Sequence, residues 1–320
     1  MTDPTMRPAG LDDAALAADL MTAAFSTYPT DPVVTRYRWD HPRTGWSVGR
    51  FIAEMNGRPI AYLYWVHAPR EQDPDRHCEV GVSLDRAYMD RELLDFLCTW
   101  ITEQAAAGGS LALEAYAGED EPELLEALAR IGYEQDRFEK VWALDLKTHG
   151  DRLRAEAEQA LAATARDGYE MTTVAGWQSP DKFRALLALD DATKGDIPTT
   201  FPIPPETFEN FMERSTSQER PPDRWWVAVR GDQPVAMSYL RYPPARGYVW
   251  TGYTCSHPDH RGRGLARAVK LQSLVQAVEL GVPVVYTEND SENAPMLHIN
   301  ERLGYEQRPG FVSLLKRVSK

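Results

Sequence analysis

Apolar positions recur along this chain with two periods, and the switches between them predict alternating strands and helices. Met6-Arg7-Pro8 opens a short strand, and residues 12–25 follow a helical period. The apolar runs 51–55 and 60–66 flank Asn56-Gly57, a pair suited to the left-handed backbone of a tight hairpin, so two antiparallel strands are expected there. A strand over 79–84, a long helix over 91–107 ended by Gly108-Gly109, a strand over 111–116, a helix over 122–130 and a strand over 138–146 follow. Residues 148–167, rich in Ala, Glu and Arg and free of Pro, predict a helical connector, and 169–174 a new opening strand. Further on, a strand over 248–255 leads through a glycine-bearing loop to Leu271, Leu274, Val275 and Val278, spaced i, i+3, i+4, i+7. Gly281 should stop that helix, and Val282 to Tyr286 reads as the next strand.

The same order of elements occurs twice because the sequence repeats. Glu54-Met55-Asn56-Gly57-Arg58-Pro59-Ile60-Ala61 is echoed by Val229-Arg230-Gly231-Asp232-Gln233-Pro234-Val235-Ala236, and Ile131-Gly132-Tyr133-Glu134-Gln135 by Leu303-Gly304-Tyr305-Glu306-Gln307. The offsets, 175 and 172, nearly agree. A tandem duplication is expected, with one unit over 1–147, a connector over 148–167 and a second unit over 168–320.

The loop of the second unit is Arg261-Gly262-Arg263-Gly264-Leu265-Ala266. Glycines between a strand and a helix let backbone approach a ligand, and the first amides of a helix carry partial positive charge, so the place suits a phosphate or pyrophosphate. It matches neither the Gly-Lys-Ser/Thr phosphate loop nor the three-glycine dinucleotide fingerprint, and alone it reads equally as a solvated start to a helix. His257, Asp259 and His260 precede it without the Cys/His company of a metal site, so no metal is expected.

Together with Thr287-Glu288-Asn289, Asn293-Ala294-Pro295-Met296 and Asn300-Glu301-Arg302-Leu303-Gly304-Tyr305, this loop resembles the acyl-CoA-binding core of the GNAT superfamily of N-acyltransferases. The resemblance implies an α/β (α+β) fold of two tandem GNAT-like domains, each a mixed, mostly antiparallel sheet flanked by helices. It implies that Arg261, Gly262, Arg263, Gly264, Leu265 and Ala266 hold the CoA pyrophosphate, that Thr254, Cys255 and Ser256 line the pantetheine arm, and that Asn289 and Asn293 lie beside it. Asn293 also reads as a helix N-cap. At an offset of 174 the first unit places Ala87, Tyr88 and Asp90 where the second has Arg261, Gly262 and Gly264. A carboxylate there repels a pyrophosphate, so the first unit is expected to have lost CoA binding and to wall the acceptor site, an arrangement similar to tandem members of the superfamily.

Transfer to an amine needs a base, an oxyanion site and release of the thiolate. The amides near Cys255 and Ser256 are the expected oxyanion donors. Many family members carry a tyrosine, the acid that protonates CoA, where this chain has Asn300, and the strand 248–255 lacks the glutamate that often serves as base. Ser256, Asn300 and above all Glu288 are the catalytic candidates, although Glu288 reads equally as a solvated strand end. Asp190 and Asp196, with Asp191, are candidates for holding the acceptor's ammonium, with turn formation an equal account, and Tyr253 is a candidate for polar contact with the substrate, with buried aromatic packing the stronger account.

Charge sharpens the acceptor class. The 320 residues carry a formal charge of -13, with 17 Lys+Arg against 30 Asp+Glu in residues 1–167 and 18 against 18 in the rest. Such a surface disfavours nucleic acid and anionic lipid and favours cationic partners, and it reads at least as well as an aid to solubility alone. No apolar run approaches the roughly eighteen residues that span a bilayer, Met1-Thr2-Asp3-Pro4 opens no signal peptide, and three widely spaced cysteines suit reduced thiols, so a cytoplasmic setting is expected. The expected activity is transfer of an acetyl group from acetyl-CoA, or of another acyl group from its CoA ester, to a small-molecule amine. The alternatives are a CoA-binding module without chemistry, or a longer acyl-CoA or an aminoacyl-tRNA as donor. Oligomeric state is not legible.

Overall fold

A computed structural model of the chain describes residues 4–318. Its first half runs β1 (Thr5–Pro8), α1 (Ala14–Ala24), α2 (Pro32–Asp40), β2 (Ser47–Met55), β3 (Arg58–His67), β4 (His77–Leu84), α3 (Arg91–Ala107), β5 (Ala112–Gly118), α4 (Pro122–Arg130) and β6 (Glu134–Asp145). Helix α5 (Leu146–Arg166) leads to β7 (Glu170–Thr173), α6 (Lys182–Thr193), α7 (Phe208–Ser215), β8 (Trp225–Arg230), β9 (Gln233–Arg241), β10 (Val249–Ser256), α8 (Leu265–Glu279), β11 (Val284–Asp290), α9 (Ala294–Leu303) and β12 (Glu306–Arg317).

Local chemistry explains where these elements turn and stop. Asn56 and Gly57 take φ of 52° and 73°, so the β2–β3 ladder closes directly on Met55 and Arg58. Helix α3 buries Leu94, Leu97, Cys98 and Ile101 on one face and ends at Gly109 with φ 82°. Helix α2, unanticipated, starts where Asp31 accepts hydrogen bonds from the Val33 and Val34 amides at 2.7 and 2.9 Å, with Pro32 in its first turn.

Among the described residues twelve strands form one sheet in the order β1-β2-β3-β4-β5-β12-β6-β11-β10-β9-β8-β7. Only β4/β5 and β10/β11 run parallel. The two halves exchange their last strands. β12 of the second half lies against β5, pairing Phe311 with Gly118 and Arg317 with Ala112, whereas β6 of the first half lies against β11, pairing Asp145 with Val284 and Glu139 with Asp290. Because β12 and β6 also pair with each other, the two expected sheets are continuous.

Packing follows the exchange. The core of the first half, around Leu97, Ile101 and Leu113, includes Val312 and Leu314 from β12; that around Leu271, Leu274 and Val285 includes Trp142 and Leu144 from β6. Each such burial contributes about 1.5–3 kcal/mol, so the exchanged strands hold the halves together. Side chains between the first helices add reciprocal cover. Asp31 accepts from the Ala245 and Arg246 amides at 2.7 Å each, Tyr37 donates to the Glu213 carbonyl at 2.8 Å, and in return Phe201 stacks on His77 with centroids 4.3 Å apart. Among the described residues no helix is long and apolar enough to cross a membrane.

Candidate active site

β10 and β11 pair only at Val249 with Val285 and Trp250 with Tyr286. Past that point the β10–β9 register shifts between Thr251 and Tyr253, and β10 and β11 part. Gly252 sits at the shift, where a Cβ would fall 2.0 Å from the Tyr239 ring, so only glycine lets that ring cross the strand. The gap opens into a cavity of about 830 Å³.

One end of the cavity is the start of α8. Gly264 is the N-cap residue at φ 74° and no side chain bonds the free amides of the first turn; Gly262 also has φ 74°. A Cβ on either would meet nothing within 4 Å, so the requirement for glycine is conformational. These amides, the helix dipole and Arg261 converge on the cavity, the chemistry that binds a pyrophosphate. Leu265 is buried and anchors the helix, and Ala266 lines the cavity. Arg263 is exposed and outside it. Across the gap, Asn293 caps α9 by accepting from the Met296 amide at 3.4 Å and also lines the cavity.

Thr254, Cys255 and Ser256 form the β10 wall. Thr254 shares its hydroxyl with Ser238 at 2.8 Å, and burial pushes the Cys255 thiol up to about 12, which leaves it protonated and no nucleophile. Ser256 stays half-exposed. On β11, Glu288 is 39% exposed with Arg241 at 3.8 Å, and Asn289 accepts from the Asn300 amide at 2.7 Å. Asn300 is fully buried and also accepts from Lys270 Nζ at 2.7 Å. It does not line the cavity, and an amide has no titratable proton for a thiolate, so its bonds act by orienting Asn289. Burial alone lowers the Lys270 ammonium to about 7.

The acceptor candidates separate. Tyr253 lines the main cavity and a smaller hollow of about 250 Å³ beside it, and its hydroxyl is 3.0 Å from that of Thr193. Asp190 lies in the hollow near Arg214 at 3.7 Å, with its carboxyl raised by burial. Asp196 lies at the main cavity, where it pairs with Arg261 of the loop. Among the described residues no group of three or more His, Cys, Asp or Glu could hold a metal.

One cavity residue has no signal in the sequence. Glu139 belongs to β6 of the first half, and only the strand exchange brings it into the cavity of the second. Burial, then the charges of Glu288 and Asp290, push its carboxyl up to about 7. Toward α8 the lining holds Arg267 and Arg261, the latter paired with Asp196, and toward the strand ends it holds Glu139, Glu288 and Asp290. Glu292 and Arg302 stand before and on α9.

A strand pair splayed over an uncapped, glycine-opened helix suits a ligand that carries a pyrophosphate, and known proteins resemble this chain in sequence and in fold. The sequence model of the Acetyltransferase (GNAT) family matches residues 188–305. A curated acetyltransferase, SG1711 of Sodalis glossinidius (strain morsitans), is 28% identical over 110 residues, which is 34% of this chain and 75% of that protein. A tandem GNAT protein from the clavulanic acid biosynthesis pathway superposes with a TM-score of 0.76 at 18% identity, covering 99% of both chains. A GCN5-related N-acetyltransferase from Sphaerobacter thermophilus superposes with a TM-score of 0.70 at 18% identity, covering 100% of this chain and 97% of that one. Residues 188–305 thus match the GNAT acetyltransferase family in sequence, and the chain as a whole has the fold of a tandem GNAT protein.

Proposed function

We propose that this protein transfers an acetyl group from acetyl-CoA to the primary amine of a small molecule, by direct attack on the thioester in the cavity between β10 and β11. The observation that carries the reading is the cavity itself, in which free helix amides and Arg261 suit the pyrophosphate of the donor, while Glu288 and its acidic neighbours suit an ammonium. Residues 168–320 supply the donor site, and residues 1–147 cover it from the acceptor side, with 148–167 linking the two.

The groups present suit each step. The amine must first lose a proton to a carboxylate, and the cavity wall offers more than one, Glu288 and Glu139 among them. As C–N forms and C–S breaks, the backbone amides near Cys255 and Ser256 are the donors assigned to the oxyanion in this reading. Asn300 cannot supply a proton to the leaving group, but a thiol of pKa about 8.5 departs readily as its thiolate, so transfer needs no dedicated acid. The donor and the three buried free cysteines fit a cytoplasmic setting.

Calorimetric titration with acetyl-CoA, followed by a free-thiol assay across small amines, tests the reading. Binding of about one equivalent per chain with amine-dependent thiol release is the expected result. Binding without release for any amine would instead make the chain a CoA-binding module, and no binding would move the search to another acyl carrier.

A further inference from the structure

Three observations meet at Glu139. The strand exchange puts it in a cavity otherwise built by the second half. It sits at an irregularity in the sheet: β12 skips Pro309 and Gly310 between its pairings of Arg308 with Val141 and Phe311 with Glu139, and a Cβ on Gly310 would lie 2.3 Å from the Glu139 carbonyl oxygen. Bulges of this kind re-aim neighbouring side chains, and this one is fastened, since the Gly310 amide donates to Glu119 at 2.6 Å and Tyr28 donates to the Pro309 carbonyl at 2.8 Å. Finally, the Glu139 carboxylate makes no hydrogen bond or ion pair among the described residues. Its ladder partner Asp290 is held by Arg137 at 2.6 Å, and Glu288 has Arg241.

We propose that Glu139 is the catalytic base, so that the first half of the chain supplies a reacting group to the donor site of the second. The inference rests on the acyl-transfer reading above. The Glu139 carboxylate takes one proton from the acceptor's ammonium, the freed amine attacks the thioester carbon, the C–S bond breaks, and the amine's second proton leaves with sulfur as CoA thiol. Glu139 then returns its proton to water through the open cavity. Glu288 and Asp290 face it from β11, Glu114 and Glu79 act on it from β5 and β4, and Arg137, already committed to Asp290 and Glu292, stands on its own strand. Burial first, and then this negative surround, keep a proton on the carboxyl up to about pH 7, near where a base for amine chemistry works best.

The test compares the protein with Glu139→Gln, which keeps the side chain's shape, using two acceptors with acetyl-CoA. Spermidine is an ammonium ion at neutral pH and needs a base, whereas hydroxylamine is uncharged and does not. The variant should lose about 100-fold or more in kcat on spermidine, keep its rate on hydroxylamine, and bind acetyl-CoA unchanged. Equal rates of the variant and the parent on spermidine, or equal losses on both acceptors, would overturn the assignment. If the parent binds acetyl-CoA but acetylates neither probe, slow hydrolysis of acetyl-CoA decides. A rate that rises with pH through neutrality and loses that rise in the variant supports Glu139, and one unchanged by the substitution refutes it. Failure of the parent to bind acetyl-CoA would instead sink the acyl-transfer reading, and the base with it. Unchanged thermal unfolding of the variant at pH 4 separates loss of chemistry from loss of fold.

Discussion

The chain builds the same strand, loop and helix junction twice, and the two junctions differ where a ligand would sit. At α8 the capping residue is Gly264, left-handed and without a side chain, so the first amides stay free. At α3 the same place belongs to Asp90, extended at φ -143°, whose carboxylate accepts from the Leu93 amide at 3.0 Å. The strands above differ too, since β4 and β5 remain paired over four residues, His77–Val80 with Ala112–Ala115, where β10 and β11 pair over two. The exchanged strands complete the contrast. Glu139 and Asp290 face each other in the second half, whereas Phe311 faces Gly118 in the first and packs near Phe25, centroids 5.7 Å apart. Duplication has kept the apolar framework of both units, while a few polar positions separate an open site from a filled one.

Giving α8 the cap of α3 is the strongest way to break this contrast. Gly264→Asp places a carboxylate and a side chain at φ 74°, and acetyl-CoA affinity should fall at least about 100-fold, or ~2.7 kcal/mol, by calorimetry. Undiminished binding would show that the helix end is not the pyrophosphate site.

Lys270 sharpens the contrast inside the helix, because α3 has Phe96 at the matching position. The folded chain holds Lys270 neutral above about 7, whereas an unfolded lysine stays protonated to about 10.4, so stability should rise with pH across that window. Lys270→Met should remove on the order of 2 kcal/mol of that rise, read from urea unfolding at pH 7 and pH 10.

Glu139 has the opposite sign. Folding keeps its proton up to about 7, while the unfolded residue releases it near 4.3, so its ionisation costs stability as pH climbs between those values. Glu139→Gln should therefore gain about 1 kcal/mol above pH 7, after allowance for solvent screening, and nothing at pH 4. Thermal unfolding at the two pH values checks this.

The smallest effect tests the closed junction. Asp90→Ala should cost about 1 kcal/mol of stability through the lost cap and leave acetyl-CoA affinity unchanged. A change in affinity would mean that the first junction communicates with the second.

What could be read from sequence was what local chemistry decides. The hairpin at Asn56-Gly57, the helix over 91–107 and the glycine loop each depend on neighbours in the chain, and each stands where the pattern placed it. Helix α2 had a legible start in Asp31-Pro32, but its face mixes Val34 and Thr35 with exposed charge, so no periodicity revealed it. Glu139 was invisible for a different reason. An alternating strand looks the same whichever sheet receives it, and nothing in residues 134–145 announces that their neighbour is β11. The separation of Asp190 from Asp196, only six positions apart, also depends on how the chain turns after α6.

The exchange of strands also bears on how the protein is made. Ribosomes release the amino-terminal half first, and at that moment β5 has an unpaired edge, because its neighbour β12 begins only at Glu306. β6 likewise waits for β11 on one side and β12 on the other. Open apolar edges recruit strands from other chains, so the nascent half is exposed to misassembly throughout synthesis of the second. The sheet of the half made first is complete only once β12, from the half made later, stands between β5 and β6.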